Sequence, residues 1–271
     1  MAKVLVVTSG KGGVGKTTST AALGAALAQM GEKVVVVDFD VGLRNLDLVL
    51  GAERRVVFDF INVVQGVAKL SQALIRDKRL ENLWLLPASQ TRDKDALTEE
   101  GVSGVIADLR TRFDWILCDS PAGIERGAML AMRFADEAVI VTNPEVSSVR
   151  DSDRIIGMLD SKTVKSEKGE RVAKHILITR YDSARASRGE MLSIEDILEI
   201  LATPLLGIIP ESQDVLRASN VGSPVTLNDA SSAPARAYVD AARRLMGETV
   251  TMMVPVERKG LMDRLLGRRA A

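Results

Sequence analysis

Residues 10–17 read Gly-Lys-Gly-Gly-Val-Gly-Lys-Thr, four glycines, two lysines and a hydroxyl within eight positions. Glycine tolerates backbone angles closed to other residues, so such a stretch can wrap tightly and turn successive N–H groups toward one anion. A helix opening near Gly15 would add the partial positive charge of its N-terminus. The spacing of Gly10, Gly15, Lys16 and Thr17 fits a phosphate-binding P-loop. In that arrangement Gly12, Gly13, Val14 and Gly15 surround the phosphates, with Thr18 just inside the helix. Lys16 places a full charge on the β- and γ-phosphates, and the Thr17 hydroxyl ligates Mg²⁺. An apolar run ends at Thr8 and an Ala/Leu-rich stretch follows Gly15. That strand–loop–helix context is what a mere glycine-rich turn lacks.

A phosphate-bound magnesium ion calls for carboxylates at neighbouring strand ends. Asp119 closes the run Trp115-Ile-Leu-Cys-Asp and is the first candidate, with a helix N-cap as its other reading. Asp38 and Asp40 follow four consecutive valines. Carboxylates behind a buried strand are costly unless a cation or water serves them. Asp38 reads as a support for the Mg²⁺ site and Asp40 as the group that orients or deprotonates an attacking water; a solvated loop is the alternative. In Asp119-Ser-Pro-Ala-Gly123, the Gly123 N–H could sense a terminal phosphate. No Asn-Lys-x-Asp guanine-reading motif occurs, which favours ATP over GTP. The base belongs at the carboxyl ends of later strands, where Thr179-Arg180-Tyr181 and Ile209-Pro210-Glu211 each offer a contact or a plain strand-end turn.

Positioning these groups requires alternating elements. Short β-branched runs at Lys3–Thr8, Lys33–Asp38, Leu83–Pro87, Trp115–Asp119, Ala138–Thr142, His175–Thr179 and Leu205–Ile209 predict strands buried on both faces. Helical patterns cover Gly15–Met30, Thr98–Arg112, Gly127–Phe134, Val146–Leu159, Ser193–Leu201, Asp214–Ser219 and Ala233–Met246. The expected fold is α/β, a P-loop domain with a mostly parallel twisted sheet and helices on both faces. It spans residues 1–247, followed by a linker at 248–257 and a separate tail at 258–271. The charged stretch Lys162–Arg171 and the segment Ser187–Gly189 read as loops.

Of the 271 residues, 36 are basic and 36 acidic, which argues against a surface coated for nucleic acid. Aromatics at 3% are thin material for base stacking. The one cysteine, Cys118, excludes an internal disulfide and fits a reducing compartment. The apolar run at the N-terminus is too short for a signal peptide. His175, the one histidine, has no neighbours in sequence that suggest a metal site or a triad.

Lys11 is an additional lysine inside the loop, and with it the stretch resembles the deviant Walker-A ATPases of the ParA/MinD family. Three further segments resemble the septum-site-determining MinD branch of that family: Asp38-Phe-Asp-Val-Gly-Leu-Arg-Asn-Leu-Asp, Pro87-Ala-Ser-Gln-Thr-Arg-Asp-Lys-Asp-Ala-Leu and Asn143-Pro-Glu-Val-Ser-Ser-Val-Arg-Asp-Ser-Asp-Arg. The resemblance implies that ATP joins two copies face to face, with Lys11 reaching the partner's phosphates as a finger supplied in trans. It further implies recruitment of a MinC-type division inhibitor to the cytoplasmic face of the inner membrane and hydrolysis stimulated by a MinE-type protein. It places a partner groove near Ser147, Asp151 and Asp153. Two other functions on this pattern are a DNA-partition ATPase, which would bind DNA with steep salt dependence, and a metabolic phosphotransferase, which would need an acceptor pocket.

The tail gives the charge balance its meaning. Residues 257–271 hold five basic residues against two acidic ones, a surplus of three, so the remaining chain carries −3. In a helix Leu261, Met262, Leu265 and Leu266 fall within an arc of about 140°, with Arg264 and Arg268 along its edge. Twelve residues rise only about 18 Å, enough to lie on an anionic lipid surface and too little to cross it. A single short copy should bind weakly, while two on one dimer gain ~10²-fold or more through effective concentration.

Overall fold

The computed structural model describes residues 2–90 and 96–254. The expectations placed on Leu261, Met262, Arg264, Leu265, Leu266 and Arg268 lie outside the described residues, as do residues 91–95 of the Pro87–Leu97 segment.

Eight strands form one sheet: β1 (Lys3–Thr8), β2 (Val34–Asp38), β3 (Ile75–Arg76), β4 (Leu83–Leu86), β5 (Trp115–Asp119), β6 (Glu137–Thr142), β7 (Ala173–Tyr181) and β8 (Leu205–Pro210). Their order is β3-β4-β2-β5-β1-β6-β7-β8. Every pairing is parallel except β3 with β4. From β1 the chain first builds to one side through β2 and later to the other through β6. The crevice beyond the carboxyl end of β1 is therefore the topological switch point, where ligands of open α/β sheets bind.

The helices are α1 (Lys16–Gln29), α2 (Leu46–Val49), α3 (Phe60–Val64), α4 (Leu70–Ala73), α5 (Glu99–Arg110), α6 (Arg126–Arg133), α7 (Val146–Ser161), α8 (Val164–Glu167), α9 (Ser183–Ser187), α10 (Ile194–Leu201), α11 (Gln213–Asn220), α12 (Val225–Asn228) and α13 (Ala233–Leu245). Alternate strand residues feed two cores. Val4, Val6, Ile116, Cys118 and Ile140 pack on the side of α5, α6, α7 and α10. Leu5, Val7, Leu117, Val139 and Val141 pack on the side of α1, α12 and α13. Both strand faces are covered, which is why the strands read as unbroken apolar runs. Helix α1 lies close against the sheet because its face is small: a Cβ on Gly24 would sit 2.7 Å from Val36 Cγ1.

The seven predicted strands and seven predicted helices are all present, with ends shifted by a few residues. Among the described residues the structure adds the two-residue edge strand β3, six α-helices of four or five residues and a 3₁₀ turn at Glu53–Arg55. One of these, α8, corrects the reading of Lys162–Arg171 as a loop: Thr163 is buried and caps it by accepting from Ser166 N–H. A single turn is too short to show the periodicity that reveals longer helices. After α13, Arg244 donates to the carbonyls of Leu206, Val250 and Thr251, holding residues 250–251 against the sheet's amino edge. No described helix is long and apolar enough to cross a membrane.

Candidate nucleotide site

The loop between β1 and α1 turns on two glycines with positive φ, Gly13 at 76° and Gly15 at 96°. Space around both is open, so what they supply is backbone conformation. Gly10 serves differently. A Cβ there would lie 2.4 Å from the Asp151 carbonyl oxygen, so the loop rests directly on the backbone of α7.

Lys16 is nearly buried and donates to Ser9 Oγ at 2.9 Å, while Ser9 Oγ donates to the Lys11 carbonyl at 2.7 Å. Burial lowers the Lys16 pKa, partly offset by the nearby carboxylates of Asp119 and Asp40. Gly123, with φ 84°, donates its N–H to the Ser9 carbonyl at 3.3 Å. Ser9 thus ties together the lysine, the loop and the expected phosphate sensor. It escaped sequence reading because it precedes the motif's first glycine and has no distinguishing type.

Adjacent β2 and β5 set Asp38 and Asp119 opposite each other in register, and both are buried. Burial pushes both carboxyls up, Asp119 to about 7, and the negative charge of Asp119 adds to the effect on Asp38. Hydrogen bonds from Thr17 and Thr20 and the charge of Lys16 ease the burden on Asp119. Asp38 accepts from the N–H groups of Asp40 (2.8 Å) and Leu46 (3.2 Å), which orients the loop that carries Asp40. Two buried carboxylates, only partly compensated by Lys16, beside a threonine hydroxyl form a hard-oxygen donor set that suits Mg²⁺. Among the described residues no group of three or more His, Cys, Asp and Glu forms a cage. The donor set fits an ion that takes its remaining ligands from phosphates and water.

Beside the loop lies a cavity of about 450 Å³. Val14, Gly15 and Thr18 line one side, Arg180 and Pro210 the strand ends, and α11 the outer wall. Both strand-end candidates therefore meet in one place. Arg180 is held at φ 54°, uncommon for a residue with a side chain. The Thr179 hydroxyl lies 2.7 Å from the Val14 carbonyl and 2.9 Å from Asn143 Oδ1, joining β7 to the loop. Behind the cavity the Tyr238 hydroxyl meets Ser19 Oγ at 3.0 Å. The sequence did not mark Tyr238 or the α11 wall, because only the packing of α13 on α1 brings them here.

Lys11 points out of the loop to α7, where its Nζ meets Glu145 Oε2 at 2.6 Å and Ser147 Oγ at 3.0 Å. That contact, chiefly, holds the Glu145 carboxyl below its usual range. Ser147 and Asp153 are exposed on the same helix, with Asp151 partly covered against the loop. The expected partner groove thus adjoins the phosphate loop.

The model of the CobQ/CobB/MinD/ParA nucleotide-binding domain matches residues 5–225. The septum site-determining protein MinD of Escherichia coli (strain K12) is 62% identical over 270 residues, covering 98% of this chain and 100% of that protein. The MinC:MinD cell-division complex of Aquifex aeolicus superposes with TM-score 0.83 at 44% identity, covering 96% of this chain and 100% of that one. MinD of Pyrococcus horikoshii, complexed with Mg-ADP, does so with TM-score 0.79 at 34% identity, covering 90% and 96%. A family model that matches most of the chain, and relatives this similar over nearly its full length, show that the chain belongs to the CobQ/CobB/MinD/ParA nucleotide-binding family, in its MinD branch.

Proposed function

We propose that this protein is a slow ATP hydrolase whose ATP-bound form dimerises and settles on an anionic membrane, where it positions the division septum. The observation that carries this reading is the placement of Lys11 beside the glycine loop, the paired carboxylates and the strand-end cavity. Its ammonium lies outside the loop, on an exposed ion pair with Glu145. Such pairs are worth about 0–1 kcal/mol, so releasing Lys11 to a second copy's phosphates costs little. In the related structures one protein is complexed with Mg-ADP and another forms a MinC:MinD complex, which supports Mg²⁺-nucleotide as ligand and a MinC-type partner here.

Hydrolysis is attack of water on the γ-phosphorus, with ADP as the leaving group. Thr17, supported by Asp119 and Asp38, would hold Mg²⁺, which would supply charge neutralisation at the phosphates. Lys16 stabilises the β/γ oxygens, the loop's N–H groups orient them, and Gly123 exchanges its Ser9 contact for the terminal phosphate. Asp40 positions the water. Its backbone is fixed by the N–H bond to Asp38 and by its own carbonyl, which accepts from Leu43 and Arg44. With no side chain besides Asp40 suggesting a base, intrinsic turnover should be slow, and raised when a MinE-type partner engages the groove at Ser147, Asp151 and Asp153.

Two measurements test this. Asp40→Ala should bind ATP as the native protein does and hydrolyse it roughly 10²-fold more slowly; unchanged turnover removes Asp40 from the mechanism. Sedimentation with vesicles rich in anionic phospholipid should be strong with ATP, weak with ADP, and lost in both when residues 260–271 are deleted. Equal binding in all three conditions refutes the membrane switch. Equal ATP-dependent retention on DNA would instead favour a partition ATPase.

A further inference from the structure

Arg79 lies in the turn between β3 and β4, remote in sequence from the phosphate loop, yet it joins two segments that border the nucleotide site. Its Nη2 donates to the Leu50 carbonyl at 2.9 Å and its Nη1 to the Gly222 carbonyl at 3.0 Å. Asp77 holds the guanidinium in place, accepting from Nε at 3.2 Å and from Nη2 at 2.9 Å. Leu50 follows α2, and Gly222 follows α11. These two loops touch as bare backbone. A Cβ on Gly51 would lie 2.6 Å from the Gly222 oxygen, and one on Gly222 would lie 2.7 Å from Gly51 Cα. Both glycines have φ of 63°, so neither position accepts a side chain in shape or in conformation.

Each joined segment leads to a different end of the nucleotide. Helix α11 is the outer wall of the strand-end cavity, through Gln213, Val215, Leu216 and Ser219. Helix α2 begins at Leu46, whose N–H bonds Asp38, and Asp38 in turn holds the Asp40 N–H. Between them, Arg44 at φ 47° pairs with buried Asp47 at 2.8 Å, so this loop is tightly determined. A planar guanidinium can hold two carbonyls and a carboxylate at once, whereas an ammonium cannot reproduce the fork.

We propose that Arg79 is a positioning residue that couples the base cavity to the hydrolytic loop. A base seated against α11 stiffens, through Arg79, the segment 46–51 that fixes Asp38 and Asp40. The purine end of the nucleotide thereby prepares the carboxylates at its phosphate end. This rests on the reading of the strand-end cavity as the base site.

Hydrogen–deuterium exchange on the full chain tests the coupling. ADP with Mg²⁺ carries the base and no γ-phosphate; pyrophosphate with Mg²⁺ carries neither the base nor the γ-phosphate. In the native protein ADP should slow exchange in peptides covering 46–51 by roughly tenfold, in the usual range of coupling between sites, and pyrophosphate should not. In Arg79→Lys, and in Asp77→Asn, which frees the fork, ADP should still protect residues 14–18 and 213–219 while the effect at 46–51 disappears. For Arg79→Lys the loss of ATPase should appear in kcat with KM little changed. Protection at 46–51 that pyrophosphate matches, that is missing in the native protein, or that survives in both variants overturns the coupling. Failure of ADP to protect 213–219 in the native protein overturns the base-site reading itself, and the coupling with it.

Discussion

Replacing Asp119 by asparagine is expected to raise the thermal stability of the nucleotide-free protein while removing the Mg²⁺-dependent affinity for ATP that the proposed site implies. The two effects have one cause. Burial lifts the Asp119 carboxyl from its ordinary 3.8 to about 7, with only partial relief from Thr17, Lys16 and Thr20. Between pH about 4 and 7 the unfolded chain has lost this proton and the folded chain keeps it. The native state binds more protons over that window, so stability falls as pH rises through it and stays depressed above. Asparagine is nearly isosteric, can still accept from Thr20, and carries no charge to desolvate. It also eases Asp38, which the charge of Asp119 pushes further up. A difference of this size is on the order of 2–4 kcal/mol, or roughly 4–7 °C in Tm for a domain of this length. Thermal melts of both proteins at pH 5, 7 and 8 should show the gap opening with pH. A variant less stable than the native protein at pH 8 would sink this account. In the same variant ATP binding should lose its response to Mg²⁺, because a neutral amide is a poor substitute for a carboxylate around a hard cation.

Gly10→Ala is expected to be as damaging, by a steric route. The added methyl would stand 2.4 Å from both the Cβ and the carbonyl oxygen of Asp151 and 2.6 Å from its carbonyl carbon. Two of those atoms are backbone and cannot rotate away, so α7 or the phosphate loop must shift. Overpacking of this kind costs about 1–3 kcal/mol. The larger effect falls on chemistry: displacing positioned groups by about 1 Å costs roughly 10²-fold in rate. Gly157→Ala on the same helix is the control, since a Cβ there meets nothing within 4 Å. That substitution should be neutral or stabilise by about 0.5–1 kcal/mol. Steady-state ATPase assays and melts on both variants check the contrast; equal activity would mean that the contact between loop and α7 has no bearing on hydrolysis.

The same contact gives the proposed partner control a physical route. Ser147 and Asp153 are exposed on a helix whose Asp151 backbone meets Gly10 and whose exposed N-terminal residues Glu145 and Ser147 meet the Lys11 side chain. A protein docking on α7, as proposed, would meet the phosphate loop with no intervening layer.

The alternation of valine-rich runs with helical periods specified the parallel sheet and its order of elements, because strands buried on both faces and amphipathic helices leave opposite signatures in a linear chain. The glycine–lysine spacing specified the phosphate loop for the same reason: it is a local device, complete within eight residues. Asp38, Asp119, Arg180 and Pro210 were legible as strand ends, since parallel strands carry their functional groups at one edge. Pairing was another matter. That Asp38 lies opposite Asp119, that Lys11 meets Glu145, and that Gly10 rests on Asp151 follow from strand order and helix seating, which no local pattern encodes. Ser9, Tyr238 and Arg79 were invisible for that reason, being ordinary residue types whose roles arise from partners up to 219 positions away. By itself the sequence determined the longer strands and helices and the loop expected to hold phosphates, and it passed over the single-turn helices and the edge strand. Only the tertiary structure decided which buried charges share a site and which distant loops are held together, because desolvation and close packing act between segments that the chain brings together only on folding.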